Sequence, residues 1–135
     1  MFAEAGTLYC YRSHGIHTCC NIVTGAEGEA QAVLIRAIEP VCGIESMRAE
    51  RPRVRRDADL ANGPGKLCQA MGIELAHDGV DVCDPSAPVR LVEGPPIGTD
   101  RVARTPRVGI SAGVDLPWRF VVAGSRLVSR GPRSR

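Results

Sequence analysis

Two alternating runs near the start of the chain, TLYCYRS and IHTCCNIV, meet across His14 and Gly15. Side chains that alternate with period two belong to strands whose faces meet different surroundings. In the first run Tyr9 and Tyr11 share one face, and Leu8 and Cys10 share the other. Ser13-His14-Gly15 reads as a short turn. Residues 7–23 are therefore expected to form a β-hairpin with His14 near its tip. A tight hairpin commits the chain to antiparallel pairing, which restricts the fold more than any other feature of the sequence.

The remaining segments extend this reading. TGAEGE is a turn, and AVLIRAI (32–38) reads as a third strand, apolar except for Arg36. An arginine there calls for an edge position, a buried ion pair with Glu39, or a role in a site. Residues 43–56 read as a helix that Pro52 ends. A second helix follows in LANGPGKLCQAMGI, with Asn62 as candidate N-cap, Pro64 in the first turn, and Leu67, Ala70 and Met71 on one face. VRLVE, PRVGIS and WRFVVAG read as later strands, EGPPIGTD as a flexible connection, and SRGPRSR as a disordered tail. Strands outnumber helices without repeated βα alternation, so the expected class is α+β, not a doubly wound sheet.

Composition narrows the function. The 135 residues suffice for one domain with a core of its own. No apolar run is long enough to span a bilayer, and the N-terminus lacks the pattern of a signal peptide, so the expected compartment is the cytosol. Net charge is only +2, yet all but one of the 17 basic residues are arginine, in clusters at 48–56, 101–107 and 126–135. Such clusters are either solvated surface or phosphate contacts. The six cysteines contain no C-x-x-C and no zinc-finger spacing, so buried free thiols are expected. His17 and Cys19 share a strand face and offer two metal ligands, without a second pair. The Gly65-Lys66 dipeptide is not a P-loop. Leu67 follows where a hydroxyl is needed, and Leu60 stands where the first glycine is needed.

Five words occur in one order: MFAEAGTLYCYRSHGIHTCCNIVTG, AVLIRAIEP, NGPGKLCQAMGI, TPRVGI and PWRFVVAGSRLVSR. Together they resemble the 3-methyladenine DNA glycosylase family of the alkyladenine type, over nearly the whole chain. The resemblance implies a single domain (residues 1–130, then a tail at 131–135) around a curved antiparallel sheet with a protruding hairpin and a few helices. It implies a base-excision-repair hydrolase. The hairpin enters the minor groove of double-stranded DNA, an alkylated purine is flipped into a pocket, and water cleaves its N-glycosidic bond. No metal or organic cofactor is implied, and the protein is expected to act as a monomer at the nucleoid.

The resemblance also assigns residues. Tyr11 would stack on the flipped base, and Asn21 would crowd the exocyclic amino group of guanine. Ile16 and His17 would line the same hairpin, and His14 would intercalate, where the family often has tyrosine. Arg36 would stand beside the nucleophilic water, and the Val108 carbonyl would help hold it. The helix opened by Pro64 would be structural, its N-terminus a candidate phosphate contact with Lys66. The family's general base is a glutamate in a Glu-Thr-Glu-Ala-Tyr-like word upstream of Met-Phe. None of Glu4, Glu27, Glu29 or Glu39 stands in such a word. The chain is accordingly expected to begin inside its own domain, and the alternative is a catalytically inactive DNA-binding fragment.

Overall fold

β1 (Leu8–Ser13) and β2 (His17–Val23) pair antiparallel in the expected hairpin, with Tyr9 opposite Asn21, Cys10 opposite Cys20, and Tyr11 opposite Cys19. A computed structural model of the chain describes residues 1–127. The chain divides into two compact units, Met1–Glu93 and a second that begins at Gly94. Both carry antiparallel strands, and helices accompany the first, as an α+β class requires. The SRGPRSR tail lies outside the described residues.

In the first unit, β3 (Ala32–Leu34) adds to β2 with Asn21 opposite Leu34. This strand is shorter than the seven residues its apolar run suggests. The amide of Ile35 still donates to the Cys20 carbonyl at 3.2 Å, and the Ile38 amide then turns to Ala61. The chain leaves the ladder toward the helical region, and Ile35 and Ile38 become partly buried against the core without staying paired.

α1 (Ile44–Glu50) stops at Arg51, one residue before Pro52. That is where the restriction on residues preceding proline ends a helix. α2 (Pro64–Met71) opens with proline at its first position and closes at Gly72, whose φ of 65° lets the Ile73 amide reach back to the Cys68 carbonyl. Two details depart from expectation. The N-cap is Gly63, without a side-chain cap, while Asn62 accepts from Lys66 Nζ and donates to Asp59, each at 2.8 Å. Buried on α2 are Leu67, Cys68 and Ala70, with Met71 47% exposed. The sheet lies under the Leu67–Cys68 side of the helix, which leaves Met71 outside the contact.

The core of this unit lies between the hairpin and α2. Leu8, Cys10 and Cys20 face Leu67, Cys68, Ala61, Ile73 and Val82. The outer edge of β1 is covered by residues 78–82. Leu8 exchanges hydrogen bonds with Val80 and Gly79, the Val82 amide donates to Gly6, and the Asp78 carboxylate accepts from the Cys10 amide at 2.8 Å. VRLVE does not form a strand. Its Val89 packs against the core, and the Leu91 amide makes one bond to Val82. Burial of one side chain therefore accounts for the alternation without a ladder.

In the second unit β4 (Val102–Thr105) pairs antiparallel with β5 (Arg119–Val122). The expected strand at PRVGIS is displaced to the residues before it. Pro106 has no amide to donate, and Gly109 sits at a φ of 72°, so the chain turns where a strand was expected. Arg119 is buried and donates to Thr105 Oγ1 at 3.3 Å. The Arg104 guanidinium lies 5.1 Å from the Phe120 ring centre, and that of Arg107 lies 5.5 Å from Trp118. No helix among the described residues is long and apolar enough to cross a membrane.

Candidate functional site

The hairpin tip is a tight turn. Its closing hydrogen bond runs from the Ile16 amide to the Ser13 carbonyl at 3.1 Å. Its central residues, His14 and Gly15, have φ values of 51° and 71°. Positive φ at both centres suits the right-handed twist of paired strands. Glycine takes it freely, whereas His14 is the only described residue other than glycine with positive φ. The His14 ring is exposed and meets Ser13 Oγ at 3.0 Å through Nδ1. Ile16 is 72% exposed. An isoleucine so bare beside a strained histidine gives the tip a planar ring and an apolar wedge facing solvent.

Below the tip, one face of the sheet gathers the residues that the resemblance singled out. The Tyr9 and Tyr11 rings stack with centres 5.8 Å apart and planes 16° from parallel. Tyr9 thus backs Tyr11. Asn21 is buried on the same face, and its amide donates to the Tyr9 carbonyl at 3.3 Å. Cys19, opposite Tyr11, is buried too. Continuing the β2–β3 register by two residues would set Arg36 level with Cys19. The electrostatics agree with that placement. Burial pushes the Tyr11 hydroxyl above its ordinary value and Cys19 adds to the rise, while the positive charge of Arg36 opposes it. The Cys19 thiol is likewise raised by burial and held back in part by Tyr11 and by Arg36. Tyr11, Cys19, Asn21 and Arg36 therefore form one cluster. Val108 belongs to the second unit, after β4.

The start of α2 meets the hairpin beside its tip, where Ser13 pairs with His17. A Cβ at Gly65 would lie 2.9 Å from the His17 Cβ, so the start of α2 presses directly on the hairpin stem. His17 is thereby a bracing residue as well as a hairpin-lining one. Sequence reasoning missed this contact, and it missed Cys19 as the neighbour of Tyr11. The second turns on the register: Ser13 pairs with His17 and leaves Ile16 over, whereas a plain two-residue turn would set Tyr11 opposite Thr18; the first depends on tertiary placement and left no local signal.

All six cysteines are free, but only four are buried, since Cys42 and Cys83 are exposed. The expectation of uniformly buried thiols fails for these two because both lie outside the helices and strands. On the core side, Cys68 lends a hydrogen bond that lowers the Cys20 thiol and in turn raises its own. Burial pushes Cys10, opposite Cys20, up to about 11. Among the described residues no three His, Cys, Asp or Glu side chains are grouped to hold a metal ion.

The family model described as Methylpurine-DNA glycosylase (MPG) matches residues 1–126. Relatives named "Putative 3-methyladenine DNA glycosylase" include one from Nocardia farcinica, 48% identical over 99% of this chain and 65% of its own length. One from Burkholderia lata is 48% identical over the whole chain and 65% of its own length. One from Methanoculleus marisnigri is 47% identical over 96% of the chain and 68% of its own. The chain spans about 65% of the length of the first two of these curated relatives. With the family model covering most of its residues, the chain belongs to the methylpurine-DNA glycosylase family.

Proposed function

We propose that the chain carries the DNA-engaging hairpin and one wall of the base pocket of a DNA glycosylase that removes alkylated purines in base excision repair. Both units belong to one domain over residues 1–130 in this reading, and the protein works as a monomer on double-stranded DNA in the cytoplasm. The observation that carries it is the Tyr9–Tyr11 stack beside buried Asn21, directly below a tip formed by His14 and Ile16. A base inside a duplex is out of reach, so it must leave the stack, and something must fill the gap. His14 and Ile16 supply a filler for the minor groove. Tyr11 has one face backed by Tyr9, which leaves the other for an electron-poor alkylated purine. Asn21, tethered to the Tyr9 carbonyl, is held where it crowds an exocyclic amino group on guanine. Arg36 positions the attacking water. That water needs a general base, a role that none of Glu4, Glu27, Glu29 or Glu39 takes.

The 135-residue chain by itself should therefore prefer a lesion-bearing duplex without excising the base. The measurement is binding to matched duplexes with and without a single hypoxanthine. Tyr11→Ala should lose the preference, since a base–aromatic stack is worth about 1–3 kcal/mol. Tyr9→Phe, which keeps the backing ring, should retain it. Equal effects from the two substitutions would remove Tyr11 from the pocket. Hypoxanthine release by the chain at the rate of a full-length relative would overturn the view that its glutamates play no part.

A further inference from the structure

The loop that joins α1 to α2 carries a second feature. An open cavity of about 500 Å³ is lined by Arg51, Arg53, Arg55, Arg56, Lys66 and a single acid, Asp59. Part of this charge is structural. Arg51 donates to the Asp59 and Leu60 carbonyls and ties the loop back on itself. Arg56 pairs with the Asp59 carboxylate at 2.7 Å. That carboxylate also accepts from Asn62, so Asp59 has little left for other cations. Arg53 and Arg55 are exposed and have no ion pair among the described residues. Lys66 is exposed as well; it donates a hydrogen bond to the neutral Asn62 amide, and its charge reaches Asp59 without an ion pair among the described residues.

Folding alone does not explain this arrangement. The first turn of a helix favours acidic side chains, because its free amides carry partial positive charge. α2 has no acid there and has Lys66 instead. Positive charge is thus added to a positive helix end beside two unpaired arginines. Self-repulsion of that kind is relieved by an anion. Its location indicates which one. Gly65, next to Lys66, presses on His17, which pairs with Ser13 beside the hairpin tip, so the cavity flanks the element that enters the groove.

We infer that this cavity docks the sugar-phosphate backbone of the duplex beside the hairpin, with Arg53, Arg55 and Lys66 on the phosphates. The inference rests on the reading of the hairpin as a minor-groove wedge and adds the surface that holds the duplex in register for it. Phosphate contacts of this kind position a protein without reading sequence.

The test is the salt dependence of binding by the full chain to an undamaged duplex. Each phosphate neutralised contributes about 0.9 to the slope of log affinity against log salt. The double variant Arg53→Gln/Arg55→Gln should therefore lose close to two of these increments. Between 50 and 200 mM salt its affinity should fall roughly tenfold less than that of the unaltered chain. Two duplexes of unrelated sequence should show the same change. Arg53→Lys/Arg55→Lys, which keeps the charge, should restore the slope, and Arg90→Gln, away from the cavity, should leave it unaltered. Both arginines are exposed, so an unchanged circular dichroism spectrum should confirm folding in each case. An unaltered slope in the glutamine variant, with Tyr11 still governing lesion preference, would defeat the cavity assignment alone. Absence of any salt-dependent duplex binding by the unaltered chain would defeat this inference and the wedge reading together.

Discussion

His14 holds a conformation that L-residues avoid, at a φ of 51° in a turn whose other centre is glycine. The left-handed region costs a residue with a Cβ about 1–2 kcal/mol. Its ring is exposed, so burial does not repay the cost. His14→Gly should leave stability to chemical denaturation unchanged or raise it by up to about 1 kcal/mol, while weakening duplex binding. Lower stability with unchanged binding would make His14 a turn residue and nothing more. This conflict was legible in the sequence. A histidine beside Gly15 between two alternating runs marks the turn. Arg36 was legible in the same way, as a charge out of place in an apolar run. What was not legible was its setting. The cluster with Tyr11 and Cys19 depends on where β3 leaves its ladder, which is decided by the bond from Ile38 to Ala61 in a distant segment.

α2 shows how an element can be read correctly in kind and incorrectly in detail. Pro64 and Gly72 bound it as local chemistry dictates. The buried stripe shifted, because the surface a helix rests on chooses its face, and the sequence shows only that an apolar face exists. Strand assignments at VRLVE and PRVGIS failed for a related reason. Alternation reports burial, and pairing needs a partner with free amides in register. Gly65 yields a prediction about the element as a whole. Glycine inside a helix usually costs about 1 kcal/mol relative to alanine. Here Gly65→Ala should destabilise instead, by about 1–3 kcal/mol, since the new Cβ would fall 2.9 Å from that of His17. Combining it with His17→Gly should recover most of the loss, a coupling that a double-mutant cycle in denaturant would reveal. Additive losses would mean that α2 and the hairpin stem do not meet there.

For the whole molecule, the thiols report folding. Only Cys42 and Cys83 are exposed, while Cys10, Cys19, Cys20 and Cys68 are buried. Of these four, Cys10, Cys19 and Cys68 also have raised thiol values. At pH 8 a thiol reagent should modify two groups promptly in the native chain and the other four only on unfolding. Prompt modification of a third would show that the first unit opens locally without global unfolding. The same unit has one further property of consequence. Residues 78–82 and the Asp78 carboxylate take up amides and carbonyls along the outer edge of β1. Addition of strands from other copies requires an open edge, and endless addition requires two. Any strand-to-strand self-association of this sheet along the covered stretch must therefore proceed through the β3 side and terminate after two copies, so this sheet is a poor seed for a fibre.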